Sequence, residues 1–318
     1  MKVFNLDIEN GKVLTDLPFE RKRAVALGFF DALHKGHTDI IKSAVSYARA
    51  NNLSSCVQTF ADFPERDLPT ILTLEERLEI LTSLGVDEVV FINFSDEVKS
   101  TEATVFYDDI IRKTFNAEAL FCGKDYSFGA RKAGDSKLLN ELSSKDGVKT
   151  FVFDDILFRN ERISSTATYE VLKTGDVKAY RELCDGRFYS FTGIVNVGKR
   201  LGKSLGFPTI NIGIPEKKFI PKFGVYASFV IVDGSLKQGI TDLGLRPTAE
   251  NSSEPRFETF IFDFDGDLYG KKVTVLLADY IREEKKFDSL EDLKSQISDD
   301  LVTAKVMFSK MNENIGNT

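Results

Sequence analysis

The chain has 318 residues, 42% of them hydrophobic and 29% charged, with a formal net charge of -7. That length exceeds what a single hydrophobic core usually serves, so two domains are expected. The acidic balance speaks against a broad cationic face for nucleic acid, and any phosphate the chain binds is expected to sit in a local pocket.

No stretch approaches the twenty or so apolar residues of a membrane span, and the opening MKVFNLDIENGK lacks the apolar centre of a signal peptide. A cytoplasmic protein with no membrane or nucleic-acid partner is the expectation. Cys56, Cys122 and Cys184 lie far apart, which fits neither a disulfide framework nor a zinc-ligand spacing; they are expected to be reduced and buried. The basic runs at Lys217 and Glu283 read as solvated faces.

Along the first half, strand-like runs alternate with helical patterns. Ala24 to Phe30, Ser54 to Phe60, Glu88 to Phe94, Glu118 to Gly123 and Lys149 to Asp154 read as strands. Between them, Thr38 to Ala50, Thr73 to Leu84, Ala103 to Phe115 and Ser136 to Leu142 read as helices, the second opening on the capping box Thr73-Leu-Glu-Glu76. Strand, helix, strand in succession implies parallel strands, hence a doubly wound α/β domain. Helical patterns then run past Gly175 to about Leu183, and the boundary is expected near Asp185-Gly186, dividing the chain into 1–185 and 186–318.

From Phe188 to Ile281 six β runs succeed one another, separated by turn signals such as Asp233-Gly234 and Asp265-Gly266. With no long helix interrupting them, an antiparallel β-barrel is expected. An amphipathic helix from about Ser289 to Met311, with Leu290, Leu293, Ile297, Leu301 and Met307 on one side, is expected to pack against it.

Both histidines, His34 and His37, stand in AVALGFFDALHKGH, where a strand gives way to a helix. In an open parallel sheet, ligands bind beyond the carboxyl ends of the strands, where a helix N-terminus offers free N–H groups to an anion. Gly28 is expected to let the chain turn closely, Asp31 to fix the corner, and Gly36 to admit phosphate to the backbone. Residues three apart at a helix start share a face, so both imidazoles are expected to reach one phosphate. The pair lacks the i, i+4 spacing of a zinc-protease site, and no serine sits in a G-x-S-x-G elbow.

In the second half, GIVNVGKR (Gly193 to Arg200) has Walker spacing but ends in arginine, and GKRLGKS (Gly198 to Ser204) is one residue short. The next run, LGFPTINI, is strand-like, whereas a P-loop opens a helix, so a glycine-rich lid over a nucleotide is the better reading.

The form G-x-F-D-x-x-H-x-G-H, Gly28 to His37, resembles the nucleotidylyltransferase superfamily and, in detail, the prokaryotic bifunctional riboflavin kinase/FAD synthetase (FMN adenylyltransferase) family. Gly123-Lys-Asp125-Tyr126-Ser-Phe128-Gly129 and Arg162-Ile163-Ser164-Ser165-Thr166 resemble further motifs of that family's first domain. The stretch Gly198 to Asn211 is similar to the riboflavin kinase signature, in which a glycine-rich flap precedes Pro-Thr-x-Asn. Downstream, Gly224-Val-Tyr226-Ala227, Gly244-Leu-Arg246-Pro247-Thr248, Glu258-Thr-Phe-Ile-Phe-Asp263, Asp267-Leu-Tyr269-Gly270 and Ile281-Arg282-Glu283-Glu284 continue the likeness in order.

The resemblance implies a nucleotidylyltransferase-like domain followed by a riboflavin-kinase-like barrel. It implies two reactions, phosphorylation of riboflavin to FMN and adenylylation of FMN to FAD, with ATP as substrate, FMN and FAD as products, and Mg²⁺ as cofactor. In the first domain it implies catalysis at His34 and His37, with ATP bound by Gly28, Phe30, Asp31, Gly36, Asp125, Ser165 and Thr166. In the second it implies Glu258 as catalytic base and ATP bound by Gly198, Lys203, Gly206, Pro208, Thr209 and Asn211. Of these, Thr209 and Asn211 are neutral oxygen ligands of the kind Mg²⁺ accepts. The backbone of Gly224, Val225 and Tyr226, together with Arg246 and Arg282, is implied to contact flavin, and Arg246 equally fits a structural ion pair. Asp263, Asp265 and Asp267, rivals to Glu258 as base, are accounted for by the D-G-D turn.

Two positions depart from the family pattern: Phe63-Pro64 stands for His-Pro, and Tyr169 in SSTATY stands for arginine, whose charge and forked donors tyrosine lacks. Three alternatives therefore stay open: a monofunctional riboflavin kinase with a degenerate first domain, a flavin or nucleotide sensor without turnover, or a nucleotidylyltransferase for another phosphorylated substrate.

Overall fold

The computed structural model describes residues 1–61, 69–196, 207–247 and 253–316, and the backbone alone at 246, 247, 253, 254 and 312–316. Phe63-Pro64, Gly198, Lys203 and Gly206 lie outside the described residues, as does the side chain of Arg246. The chain divides into two compact units, Met1–Ala167 and Thr168–Thr318.

In chain order the first unit runs β1 (Lys2–Glu9), β2 (Lys12–Thr15), β3 (Arg23–Leu27), α1 (Lys35–Ala50), β4 (Ser54–Phe60), α2 (Leu74–Ser83), β5 (Glu88–Ile92), α3 (Asp96–Ser100) and α4 (Ala103–Val105). A π-helical segment, Phe106–Thr114, comes next, then β6 (Ala117–Gly123), β7 (Ser127–Phe128), β8 (Gly134–Asp135), α5 (Ser136–Lys145), β9 (Lys149–Phe153), β10 (Leu157–Phe158) and β11 (Glu161–Arg162). One sheet has the order β2-β1-β5-β4-β3-β6-β9, parallel except for the β1–β2 hairpin. All five residues of β3 and of β5 are buried, as central parallel strands covered on both faces require. Successive strands run outward from β3 to β4 to β5, and β6 then returns to the other side of β3. That reversal opens a crevice beyond the carboxyl ends of β3 and β6.

The doubly wound reading thus describes the first unit, with two differences of detail. The terminal hairpin β1–β2 joins the sheet around Asn10 and Gly11, both at positive φ, as a two-residue hairpin turn requires. The helix expected from Ala103 to Phe115 widens into the π-helical segment, which buries Phe106, Tyr107, Ile110, Ile111 and Thr114 together.

In the second unit α6 (Ser165–Thr174), which spans the division, stops at Gly175, whose φ of 82° a continuing helix cannot hold. Asp176 then caps α7 (Val177–Leu183) by accepting the Ala179 N–H at 2.9 Å. Within the second unit α7 packs on the barrel, with Tyr180 edge-on to Tyr189 at 5.2 Å. The six strands are β12 (Tyr189–Asn196), β13 (Thr209–Ile212), β14 (Gly224–Val232), β15 (Ser235–Pro247), β16 (Ser253–Ile261) and β17 (Lys272–Arg282). They close in the order β12-β13-β16-β15-β14-β17, antiparallel throughout.

Alternation along each strand sorts the residues. Phe257 and Thr259 are buried on one side of β16, where Thr241 bridges the hydroxyls of Ser228 and Thr259 at 2.8 and 2.9 Å. Arg256, Glu258 and Phe260 take the other side. There α8 (Leu290–Gly316) covers the barrel, its Ala304 and Phe308 buried with Val225, Ala227, Ile240, Phe262 and Ala278.

Candidate active sites

The crevice of the first unit is a cavity of about 940 Å³ lined by Gly28, Phe30, Asp31, His34, Gly36, His37, Asp125, Ser165 and Thr166. The residues implied for adenylyl transfer are therefore brought together, although more than 120 positions separate the first from the last. Gly28 has a reason other than a close turn: a Cβ there would lie 2.8 Å from the Phe30 ring, which needs the space. Phe30 and Leu33 hold left-handed backbone, φ 49° and 45°. The corner is fastened from outside, since the Phe29 carbonyl accepts from Thr59 Oγ1 at 2.6 Å and the same hydroxyl accepts from buried Arg77 at 2.8 Å. Asp31 accepts the Ala32 N–H at 2.8 Å and the Ser165 hydroxyl, so the first motif is tied to the start of α6.

The histidines are arranged differently from two neighbours on one helical face. His34 stands outside the helix as the N-cap of α1, its Nδ1 accepting the His37 N–H at 3.4 Å. The two rings stack with centroids 3.6 Å apart, and Phe30 meets His37 edge-on at 5.2 Å. Burial, reinforced by His37, lowers the His34 pKa to about 3 against the opposing pull of Asp31 and Asp125. The imidazole is neutral at physiological pH, and with Nδ1 accepting, the ring proton belongs on Nε2, a donor.

Several cavity residues had no role assigned to them from the sequence. Arg162 pairs with Asp125 and, at 2.9 Å, with Asp155, which Lys124 also meets at 3.1 Å. Lys42, Ser43, Ser46 and Lys132 line the same space; the spacing of Asp39, Lys42, Ser43 and Ser46 along α1 was the available signal. Tyr169, standing for arginine, turns its ring edge-on to Phe219 at 5.1 Å.

The second unit holds a smaller cavity, about 280 Å³, on the barrel face beneath α8, lined by Thr209, Val225, Glu258 and Arg282 among others. Strand register explains why these meet. Asn211 is opposite Glu258, Glu258 opposite Asp242, Asp242 opposite Val225, and Val225 opposite Arg282. Directly opposed residues share a face, so one row crosses five strands, and Thr209, two before Asn211, lies on the same side.

Alternation also sorts the side chains of the Gly224-Val-Tyr226-Ala227 stretch. Tyr226 comes after Val225 and so faces the other way; its ring is fully buried and its hydroxyl donates to the Lys222 carbonyl, which removes the side chain from the cavity. Gly224 meets the end of β17, where a Cβ would stand 2.4 Å from the Arg282 carbonyl. Arg282 reaches the cavity, but its guanidinium grips buried Asp300 of α8 in a bidentate pair, with Nε–Oδ1 and Nη2–Oδ2 both 2.8 Å. Pro208, just before β13, and Asn211, within it, do not line the cavity. Asp242 and Arg256, which no motif reading singled out, line it together with Glu284. Desolvation raises half-buried Asp242 to about 6 against the pull of Arg256, with Glu284 and Glu258 adding to the rise. Asp267 accepts the Tyr269 N–H at 2.9 Å and Asp263 has φ 50°, as turn residues do.

The FAD synthetase family matches residues 17–167, and the riboflavin kinase family matches residues 185–308. The bifunctional riboflavin kinase/FMN adenylyltransferase of Escherichia coli K12 is 32% identical, with 89% of this chain and 92% of that protein covered. The chain belongs to the bifunctional riboflavin kinase/FMN adenylyltransferase family. Another relative, from Listeria monocytogenes, is 29% identical over 95% of this chain and 97% of its own length. A solved structure from Streptococcus pneumoniae, described as a macrolide-efflux protein, superposes with a TM-score of 0.85 at 30% identity, covering 95% of this chain and 98% of that one. Among the described residues no helix is long and apolar enough to cross a membrane. Both enzymatic domains of the family are present in one chain.

Proposed function

We propose that the chain phosphorylates riboflavin to FMN and adenylylates FMN to FAD, using ATP for both. The carrying observation is that one chain holds both family matches, 17–167 and 185–308. A monofunctional kinase and a sensor without turnover are disfavoured by the same fact. We assign adenylyl transfer to residues 1–185 and the kinase to 186–318, in the cytoplasm. Buried, unpaired thiols at Cys56, Cys122 and Cys184, each pushed up by desolvation, suit that reducing compartment.

In the first domain an FMN phosphate oxygen attacks the α-phosphorus of ATP, and the bond to the bridging oxygen breaks as pyrophosphate leaves. An already ionised nucleophile needs no base, so the protein's task is alignment and charge stabilisation. Neutral His34 supplies a hydrogen-bond donor, and His37, Ser165 and Thr166 stand at the helix starts that face the phosphates. Asp125 and Arg162 close the other wall of the same cavity.

In the second domain the ribityl hydroxyl gives its proton to Glu258 as its oxygen bonds to the γ-phosphorus and ADP departs. Thr209 and Asn211 would hold Mg²⁺ through neutral oxygens beside Glu258. Among the described residues no group of three or more His, Cys, Asp and Glu is placed to hold a metal ion. Bound there, Mg²⁺ neutralises phosphate charge.

Chromatography of flavins after incubation with Mg-ATP and either riboflavin or FMN tests the assignment. Glu258→Gln is expected to abolish FMN formation and spare adenylylation of supplied FMN, and His37→Ala to do the reverse. Parallel loss of both activities in each variant would refute the two sites.

A further inference from the structure

Among the described residues five aspartates but only three cationic side chains, Lys42, Lys132 and Arg162, line the cavity of the first unit. The reaction assigned to that cavity brings in two phosphorylated substrates and releases pyrophosphate, all strongly anionic. Its cations are not equally available. Arg162 is divided between Asp125 and Asp155, and Lys42 is also engaged. No ion pair among the described residues occupies the Lys132 ammonium. The backbone holds Lys132 at this wall. Strands β7 and β8 pair Ser127 with Asp135 and Phe128 with Gly134, closing a loop over 129–133. Gly129 begins the loop hard against α4, where a Cβ would stand 2.5 Å from Ala103 Cα, and the Ala130 N–H donates to the Thr101 carbonyl at 2.7 Å. Arg131 and Lys132 then take left-handed backbone in succession, φ 54° and 57°, which a Cβ disfavours. The Lys132 N–H to the Gly129 carbonyl at 3.0 Å and the Ala133 N–H to the Ala130 carbonyl at 3.1 Å keep the turn closed. Strained backbone of this kind gathers at ligand clamps. Of the two strained residues, Lys132 lines the cavity and Arg131 does not.

We propose that Lys132 is a phosphate-binding residue of the adenylyl transfer site, its ammonium held on the β- and γ-phosphates of ATP and on the pyrophosphate that they become. The assignment rests on the reading of the first domain as the site of adenylyl transfer. ATP is the partner because Asp125, an implied ATP contact, leads into the same hairpin. As the bond from the α-phosphorus to the bridging oxygen breaks, negative charge builds on the departing pyrophosphate. A cation that no carboxylate has quenched stabilises that charge more than a guanidinium already shared by two aspartates. Lys132 transfers no proton in this step and stays charged throughout.

The test follows adenylylation of supplied FMN by the full chain, with inhibition by inorganic pyrophosphate as the probe of the contact, for wild type, Lys132→Gln, Lys132→Gly and Arg131→Gln. Lys132→Gln is expected to raise the KM for ATP and the pyrophosphate inhibition constant about tenfold each, with the KM for FMN little changed. Lys132→Gly removes the same charge while relaxing the left-handed backbone, and is expected to match Lys132→Gln, which separates loss of the contact from distortion of the turn. Arg131→Gln takes one charge from the same turn at a residue outside the cavity, and is expected to behave as wild type. Wild-type pyrophosphate inhibition in either Lys132 variant overturns the proposal. So does equal weakening in Arg131→Gln, which would show a long-range field in place of a contact, and so does a rise confined to the KM for FMN. Wild-type protein that makes no FAD from FMN instead overturns the reading of the domain, and is seen before any variant is made.

Discussion

Neutral His34 makes the first unit sensitive to acid in a way that can be worked out in advance. An unfolded histidine titrates near 6.5, whereas burial lowers His34 to about 3. Between those values the unfolded chain binds a proton that the folded chain refuses, so stability rises with pH across this window and is lost as pH falls through it. The loss due to this residue is negligible at pH 7.5, about 1.4 kcal/mol at pH 5.5 and about 2.7 kcal/mol at pH 4.5. Carboxylates contribute their own acid dependence, so the comparison is with His34→Asn, which keeps an N-cap acceptor for the His37 N–H but does not titrate. Urea unfolding at each pH, read by hydrogen exchange in peptides from α1 and β3, reports the unit concerned. Wild type is expected to lose about 1.4 kcal/mol more than the variant between pH 7.5 and 5.5. Equal losses would show that the fold does not shift the titration of His34, and would refute the burial argument made for it.

The two cavities lead to three further outcomes. Gly244→Ala places a Cβ on the Glu284 carboxylate and is expected to slow the kinase, by up to about 100-fold if Arg256 moves by an ångström, with adenylylation of FMN unchanged in the same assay. Asp300→Asn leaves Arg282 without its buried partner; calorimetry is expected to show the second unit destabilised by about 3–5 kcal/mol, and an unchanged melting temperature would contradict the pair's role in docking α8. Gly123→Ala brings a Cβ to 2.7 Å from Asp125 Oδ1, which turns that carboxylate away from Arg162. Initial-rate kinetics should show a raised KM for ATP in adenylylation and an unaltered kinase.

Much of the architecture was legible because local chemistry carried it. The run GVYASFVIV is β14 from Gly224 to Val232, and the capping box at Thr73 is formed in both directions, with Glu76 N–H to Thr73 Oγ1 at 3.2 Å and Thr73 N–H to Glu76 Oε2 at 2.8 Å. What local chemistry did not carry depended on long-range packing. Tyr226 belongs to a motif, but its direction is set by the strand, which turns it away from Val225 and the cavity. Arg23 of β3, buried in ion pair with Glu88 of β5 at 2.7 Å, could not be told from a surface arginine without its partner 65 residues away.

Taken alone, the order of residues determined the kind of each element and the family motifs, because periodicity, caps and turn signals are short-range properties of the chain. It could not say that Asp242, Arg256 and Glu284 would surround Glu258, or that His34 would leave the helix to cap it. Those facts depend on strand register and on burial, which arise only when segments distant in sequence pack together. Alternation tells which side of a strand a residue takes; the closed barrel decides what stands beside it.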